Sequence, residues 1–428
     1  MGVSRRSVIG AAAGVASTLG AVVSCQPDPP GLSAAPPFDP KSWESVRAQF
    51  ALEPGYAHLA SFVFASHPAP VRQAIEEQRA ALDRNPVDAL SHEGELDNLV
   101  IGAAARYLGS RLDDVAFTDS TTMGLGLLYT GLRLAPGDEV LTTEHDFYAT
   151  HETLRLRTQR DGASVRRVRL FDDPAKVTVD EIVTKLRAAV TSRTRIVAVT
   201  WVHSSTGVRL PIRQIADALK DLPDRPLLCV DGVHGFGVED PRLGQLGADF
   251  LVSGCHKWLA GPRGTGIIVG SAEGWARYTP VIPPFDRRSI GAWLGFGAAA
   301  TPPGPAATPG GYHTFEHRWA LRAAFEFHRV IERERVTARV HELAAALKQG
   351  LAGASKARLV TPTDPALSAG IVCVDVEGVP PDEAVGRLRA ARVIASATPY
   401  NPSFLRLGTT IANSEADVDA AVRAVHSL

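Results

Sequence analysis

Between residues 115 and 269 the chain alternates short, β-branched apolar runs with amphipathic stretches of helical period, and that alternation leaves few folds open. The runs are Val115–Thr118, Glu139–Thr143, Val165–Leu170, Arg195–Trp201, Leu227–Val230, Phe250–Val252 and Gly266–Val269. Between them, Val179–Val190 and Ile212–Leu222 place their apolar residues on one helical face. Strands separated by helices predict an α/β fold whose sheet is mostly parallel and covered on both sides. Such a sheet binds ligands beyond the carboxyl ends of its strands.

Residues 280–313 are rich in proline and glycine and end in Pro309-Gly310-Gly311. A single long helix is predicted next, from Phe315 to about Leu351. Apolar runs at Ile371–Val376, Val393–Ala397 and Leu405–Leu407, then a helix at Glu415–Val425, predict a small α/β C-terminal domain. The expected division is a large domain over 41–295 and a small one over 296–428.

The amino terminus reads differently. Arg5-Arg6 followed by an Ala/Gly-rich apolar stretch to Val23 is the pattern of a twin-arginine signal peptide over 1–25. Val22-Val23-Ser24-Cys25 also reads as a lipobox, so a soluble periplasmic form and a lipid anchor at Cys25 both stay open. Residues 26–40, proline-rich and without period, read as a tether. The other cysteines, Cys229, Cys255 and Cys373, are too few and too scattered for a disulfide framework. A formal charge of -1, from 45 basic and 46 acidic residues, with no basic run interleaved with aromatics, argues against a nucleic-acid partner. Beyond residue 25 no apolar stretch approaches the ~20 residues of a membrane span.

The chemistry concentrates at the strand ends. Ser253-Gly254-Cys255-His256-Lys257-Trp258, followed by Gly261-Pro262-Arg263-Gly264-Thr265-Gly266, sets a lysine in a glycine-rich turn, where a desolvated amine can attack an aldehyde. Val230-Asp231-Gly232-Val233-His234 ends an apolar strand with a carboxylate. A lysine for an imine and an acid for a pyridine nitrogen are the two groups that pyridoxal 5'-phosphate requires. Asp119-Ser120-Thr121-Thr122 follows a strand and opens a helix, and reads either as a plain helix cap or as an anion cradle.

Asp231 and Lys257 in this arrangement resemble the class V aminotransferase family, which includes cysteine desulfurases and isopenicillin N epimerase. The Cys255-His256-Lys257-Trp258 wording is most similar to the epimerase branch, and the resemblance runs from about Gly55 to Asp417. It implies the type I fold of pyridoxal-phosphate-dependent transferases, with a Schiff base on Lys257 and Asp231 paired with the ring nitrogen. Ser120, Thr121, Thr122 and His256 would hold the phosphate. His145, in Thr142-Thr143-Glu144-His145-Asp146, matches the aromatic that stacks on the ring. Ser204 and His234 stand where relatives carry asparagine and glutamine. Gly254 stands where many carry a phosphate-binding serine, for which Ser253 is expected to compensate.

The same resemblance gives Arg406, in Phe404-Leu405-Arg406-Leu407-Gly408, to the substrate carboxylate, and Ser61 to the substrate pocket. Thr314 would reach the phosphate of a neighbouring subunit in a homodimer, although a helix N-cap accounts for it equally well. No metal site is expected, since His145, Asp146, His151 and Glu152 lack zinc-protease spacing. The expected substrate is an amino acid or small peptide, and the expected reaction transamination or epimerisation. A carbon–sulfur lyase or desulfurase is the alternative, disfavoured because Ser396–Ser403 has no cysteine; a non-catalytic binding protein is a further one.

Overall fold

The computed structural model describes residues 36–428 apart from 240–241 and 298–299. The expected signal peptide, Cys25 and the tether up to residue 35 lie outside the described residues. Residues 36–428 form one compact unit.

Seven strands build the main sheet: β2 (Val115–Thr118), β3 (Glu139–Thr143), β4 (Ser164–Val168), β5 (Thr194–Thr200), β6 (Leu227–Asp231), β7 (Phe250–Gly254) and β8 (Gly266–Gly270). They follow β1 (Ala57–His58) in the chain. Their order is β2-β8-β7-β6-β5-β3-β4, and only β8 runs against the rest. Alternate residues along each strand feed two different cores, as a two-residue period demands. In β5, Val197 and Val199 join one core while Ile196 and Ala198 join the other; in β6, Leu228 and Val230 oppose Leu227 and Cys229. Each predicted strand ends within two residues of its place.

A smaller antiparallel sheet has the order β12-β13-β10-β9, from β9 (Ala357–Leu359), β10 (Ile371–Val376), β12 (Ser396–Ala397) and β13 (Leu405–Gly408). The remaining strand, β11 (Val393–Ile394), pairs in parallel with β1. Leu343, Leu347, Val372, Leu405 and Val418 fill the core beneath this sheet.

Four expectations need correction. The single helix over 315–351 is two, Phe315–Ile331 and Arg333–Leu351, broken at Glu332 with φ +75°. The first half packs Leu321 and Phe325 into the large core, and the second carries Leu343 and Leu347 into the small one. The expected strand Val393–Ala397 is likewise two short ones. A boundary at 295/296 does not follow the packing, because β1 joins β11 and helix Phe315–Ile331 lies on helix Ala69–Arg84. The end of the expected tether is part of the fold, with Phe38 stacked on Phe327 at 5.2 Å and Arg335 donating to the Pro40 carbonyl.

Candidate active site

Adjacent strands β7, β6 and β5 deliver Lys257, Asp231 and Ser204 at or just past their carboxyl ends. The Lys257 amine donates to the Val63 carbonyl at 3.2 Å, and Lys257 lines a pocket with Ser61, Ala65, Trp258 and Ile411. Burial is the main reason that its pKa falls to about 8; the Arg406 cation lowers it further and Asp231 opposes. The neutral fraction of this amine at physiological pH is therefore far larger than that of an exposed lysine, and it is the neutral form that acts as a nucleophile or base.

Asp231 is buried, and one oxygen accepts from the Val233 N–H at 3.0 Å. Its other oxygen has no hydrogen bond among the described residues. Burial raises this carboxyl to about 7; the Val233 amide and Lys257 pull it down, and Asp146 pushes it up. An N–H cation set against the free oxygen would return it to the ionised form.

Beside Asp231, His234 is held neutral chiefly by burial, with the Lys257 and Arg406 cations adding to the effect. Trp258 Nε1 donates to His234 Nδ1 at 3.1 Å, which places the imidazole proton on Nε2 as a free donor. His145 stacks on Phe171 at 3.9 Å with the rings 5° from parallel. Its Nε2 accepts from the Leu170 N–H at 3.3 Å, and burial holds its pKa down to about 3. The ring is thus neutral, and Phe171 backs one of its faces.

The anion cradle forms where helix Thr121–Gly131 begins. Ser120 caps it by accepting from the Met123 N–H at 3.1 Å, so this hydroxyl serves the helix. Thr121 Oγ1 accepts from the Gly254 N–H at 2.7 Å, tying the helix start to the lysine strand, and Thr122 lies exposed beside it. A Cβ at Gly254 would stand 2.8 Å from His256 Cε1 and 3.2 Å from Thr121 Oγ1, so a serine there would fill the cradle. His256 Nδ1 is buried without a hydrogen-bond partner. Ser253 does not compensate for Gly254: it is fully buried and its hydroxyl donates to the Gly254 carbonyl at 3.0 Å.

Arg406, on β13, is 7% exposed. Its Nε donates to Ser396 Oγ at 3.1 Å, its Nη1 donates to the Ser204 carbonyl at 3.1 Å, and Phe62 lies 5.1 Å beneath it. No carboxylate among the described residues pairs with it. A buried guanidinium with only neutral acceptors is costly unless an anion completes the site. Nη2 and the second Nη1 proton remain for a carboxylate. Ser61 donates to the His58 carbonyl at 3.3 Å and lines the Lys257 pocket.

The remaining candidates fall elsewhere. Thr314 precedes helix Phe315–Ile331 but makes no capping bond, and it lines a crevice with Thr118, Asp119, Gly264 and Arg318. Asp146, once a conceivable metal ligand, is saturated by Thr142 Oγ1, the Thr143 N–H and Oγ1, and the Thr200 N–H at 2.7–2.8 Å. No cluster able to hold a metal occurs among the described residues. Cys229, Cys255 and Cys373 are buried, and burial raises each thiol, Cys373 to about 12, so none is a ready nucleophile. The sequence reading missed Phe171, which backs His145, and Tyr400, whose hydroxyl lies 2.8 Å from Ser204 Oγ. An aromatic six residues before Arg406 was the only signal for Tyr400.

These residues fit pyridoxal phosphate: a cradle at Thr121 that a side chain at Gly254 would fill, an unpartnered His256 Nδ1 beside it, a carboxylate oxygen of Asp231 without a hydrogen bond among the described residues, and a buried lysine amine. Isopenicillin N epimerase from Amycolatopsis lactamdurans is 27% identical over 90% of this chain and 98% of its own. The protein of that name from Streptomyces clavuligerus is 25% identical over the same shares. The cystine C–S lyase C-DES superposes with a TM-score of 0.78 at 18% identity, covering 88% of this chain and 98% of its own. The cysteine desulfurase from Thermococcus onnurineus NA1 gives 0.78 at 19%, over 90% and 97%. Residues 67–420 match the family model "Aminotransferase class-V", and the chain belongs to that family.

Proposed function

We propose that the protein is a pyridoxal-phosphate enzyme that binds the carboxylate of an amino acid or small peptide at Arg406 and moves its α-proton with Lys257, giving transamination or epimerisation. The observation that carries this reading is the convergence of three charges. The Lys257 amine lies within the electrostatic reach of both the Arg406 cation and the Asp231 carboxyl, which supports a substrate carboxylate at the arginine in the neighbourhood of the amine. When bound, the cofactor supplies an electron sink for the bond broken at the α-carbon.

The protein's own residues do the rest. Lys257 would hold the cofactor and, once its amine is freed, accept the substrate's α-proton there. Asp231 would stabilise a positive charge on the ring nitrogen. His145, backed by Phe171, would stack on the ring, and His234 offers an Nε2–H donor. Thr121, His256 and the helix start would hold the cofactor's phosphate. The loop Ser396–Ser403 has no cysteine, which weighs against persulfide chemistry.

The test is the mass of cofactor released after incubation with L-amino acids. The amine form would mark transfer, and the unchanged aldehyde with an inverted amino acid would mark epimerisation. No cofactor bound at Lys257 would overturn the reading. Arg406→Lys should raise KM for the amino acid about 30-fold with a smaller change in kcat, because lysine keeps the charge but loses the planar fork. Steady-state kinetics checks this, and an unchanged KM would remove the arginine from carboxylate binding.

We also propose a homodimer and export by the twin-arginine route. The dimer is supported by helix Arg287–Trp293, which buries none of its residues, and by Trp293, Phe296 and Tyr312, exposed at 83%, 77% and 85%. Apolar surface of this kind usually marks an interface. Trp293→Asp should shift the sedimentation coefficient from dimer to monomer at micromolar concentration; no change would place the interface elsewhere. Export is supported by Arg5-Arg6 and the apolar stretch behind them.

A further inference from the structure

Trp258 follows Lys257 directly in the chain, and its indole is held from several sides. It is 6% exposed and lies on Phe62, with ring centres 5.5 Å apart and planes 21° from parallel. Gly370 makes room for its six-membered ring, since a Cβ there would come within 2.6 Å of Trp258 Cη2. The turn that carries His234 reaches the same place through Gly237, at φ +87°. A Cβ at that glycine would stand 2.6 Å from the Leu259 nitrogen and 2.9 Å from the Trp258 carbonyl carbon. Without one, the turns after β6 and β7 pack backbone to backbone. Indole Nε1 then lies 3.1 Å from His234 Nδ1, with the two rings 89° apart.

An indole nitrogen only donates, so the Nδ1 that accepts from it is bare and the imidazole's single proton is on Nε2. The other tautomer would set one N–H against another, and so would the cation. The fields of Lys257, Arg406 and His256 add to burial in keeping the ring uncharged. A half-turn of the imidazole would exchange Nδ1 for a carbon and break the bond, and Phe62 stands edge-on to it at 5.9 Å. The same Phe62 ring lies 5.1 Å from the Arg406 guanidinium. One aromatic side chain therefore neighbours the tryptophan, the histidine and the arginine.

We propose that Trp258 is a positioning residue whose indole N–H locks His234 in the Nε2–H tautomer, so that this histidine serves the site as a fixed hydrogen-bond donor and not as a base. A free imidazole divides its proton between two nitrogens and can present either a donor or an acceptor. The indole removes that choice before any ligand arrives, and a donor set in advance loses nothing to ordering when the ligand binds. Asp231 ends β6 three residues before His234, and Lys257 precedes Trp258, so the bond joins the two turns on which the proposed function depends. The proposal rests on that reading for what the donor meets, an acceptor atom of the bound cofactor or of the amino acid. The lock itself belongs to the empty protein.

The first arm of the experiment is nitrogen NMR of the cofactor-free protein labelled with ring-15N histidine. The resonances missing from His234→Gln belong to His234. In the parent they should show a protonated Nε2 and a bare Nδ1; in Trp258→Phe, which keeps a ring but has no N–H, both should move toward the average of a mixed tautomer. The second arm measures the dissociation constants of pyridoxal phosphate and of the amino acid by cofactor absorbance. Trp258→Phe should raise one of them about tenfold, the loss of one hydrogen bond. Adding His234→Gln to that variant should bring it back to within about threefold of the parent, because a glutamine amide carries its own N–H whatever its neighbour donates. A proton on Nδ1 in the parent would overturn the proposal, as would an unchanged tautomer in Trp258→Phe. Unaltered binding in Trp258→Phe, or equal weakening in the single and double variants, would reduce the tryptophan to packing and overturn it too. A parent that binds no cofactor would overturn the proposed function instead, while its nitrogen spectra would still test the lock.

Discussion

Lys257→Ala is expected to lower turnover by about 10,000-fold, since it removes the nucleophile and the base together. Its effect on the fold should be small and of the opposite sign. In the folded protein this amine is buried, its pKa is drawn down to about 8, and it lies within the field of Arg406. A group whose folded pKa is lowered in this way favours the unfolded chain, where it can hold its proton freely. Against that stands one hydrogen bond to the Val63 carbonyl, worth about 1 kcal/mol net. The melting temperature of the cofactor-free variant should therefore equal or exceed that of the parent. Borohydride reduction should fix the cofactor to the parent and not to the variant, and a small primary amine added to the buffer should restore part of the turnover. Turnover within tenfold of the parent would rule Lys257 out. This combination of gained stability and lost activity separates a residue kept for chemistry from one kept for folding.

How far such a residue is legible in the sequence depends on what determines its place. Lys257 and Asp231 were legible because Asp231 closes an apolar strand and Lys257 follows another within three residues, and strand ends of a parallel sheet are where ligands bind. The strands themselves were legible because every second residue serves a different core. The break at Glu332 was not, since Ile331-Glu332-Arg333-Glu334 continues a good helical sequence and only the two separate cores demand a turn. The pairing of Ala57 with Val393 links the two ends of the fold and has no local signature. Ser253 was misjudged because its place in the motif said nothing about its side chain, which the sheet turns inward. Arg406 was legible only through the family resemblance, for nothing local distinguishes an arginine on a short strand from a surface one. Tyr400 reaches the site through a turn whose position is set by β12 and β13 pairing across ten residues, Ser396 with Arg406.

Asp231→Asn is expected to reduce turnover by about 100- to 1,000-fold while leaving cofactor bound, because an amide cannot supply the negative charge that stabilises a protonated ring nitrogen. Its second effect is on the cofactor-free protein, through pH. The Asp231 carboxyl, ordinarily near 3.8, is raised by burial to about 7 in the folded chain. Between these values the folded form keeps a proton that the unfolded form releases. Unfolding thus becomes easier as pH rises through that window, and above it the full penalty applies. The shift amounts to roughly 4 kcal/mol at about 1.4 kcal/mol per pKa unit, an upper bound for a group that relaxation and water can reach. Asparagine carries no such charge. The cofactor-free variant should match the parent near pH 4 and melt at a higher temperature above pH 7, with the gap opening between. Thermal melts of both proteins across that range check the sign, and a gap that closed as pH rose would show that Asp231 is stabilised as the anion. Loading the parent with pyridoxal phosphate should narrow the gap, since the ring cation then pairs with the carboxylate oxygen that the folded chain leaves open. The carboxylate that weakens the empty protein at neutral pH is, on this reasoning, the one that the loaded enzyme uses.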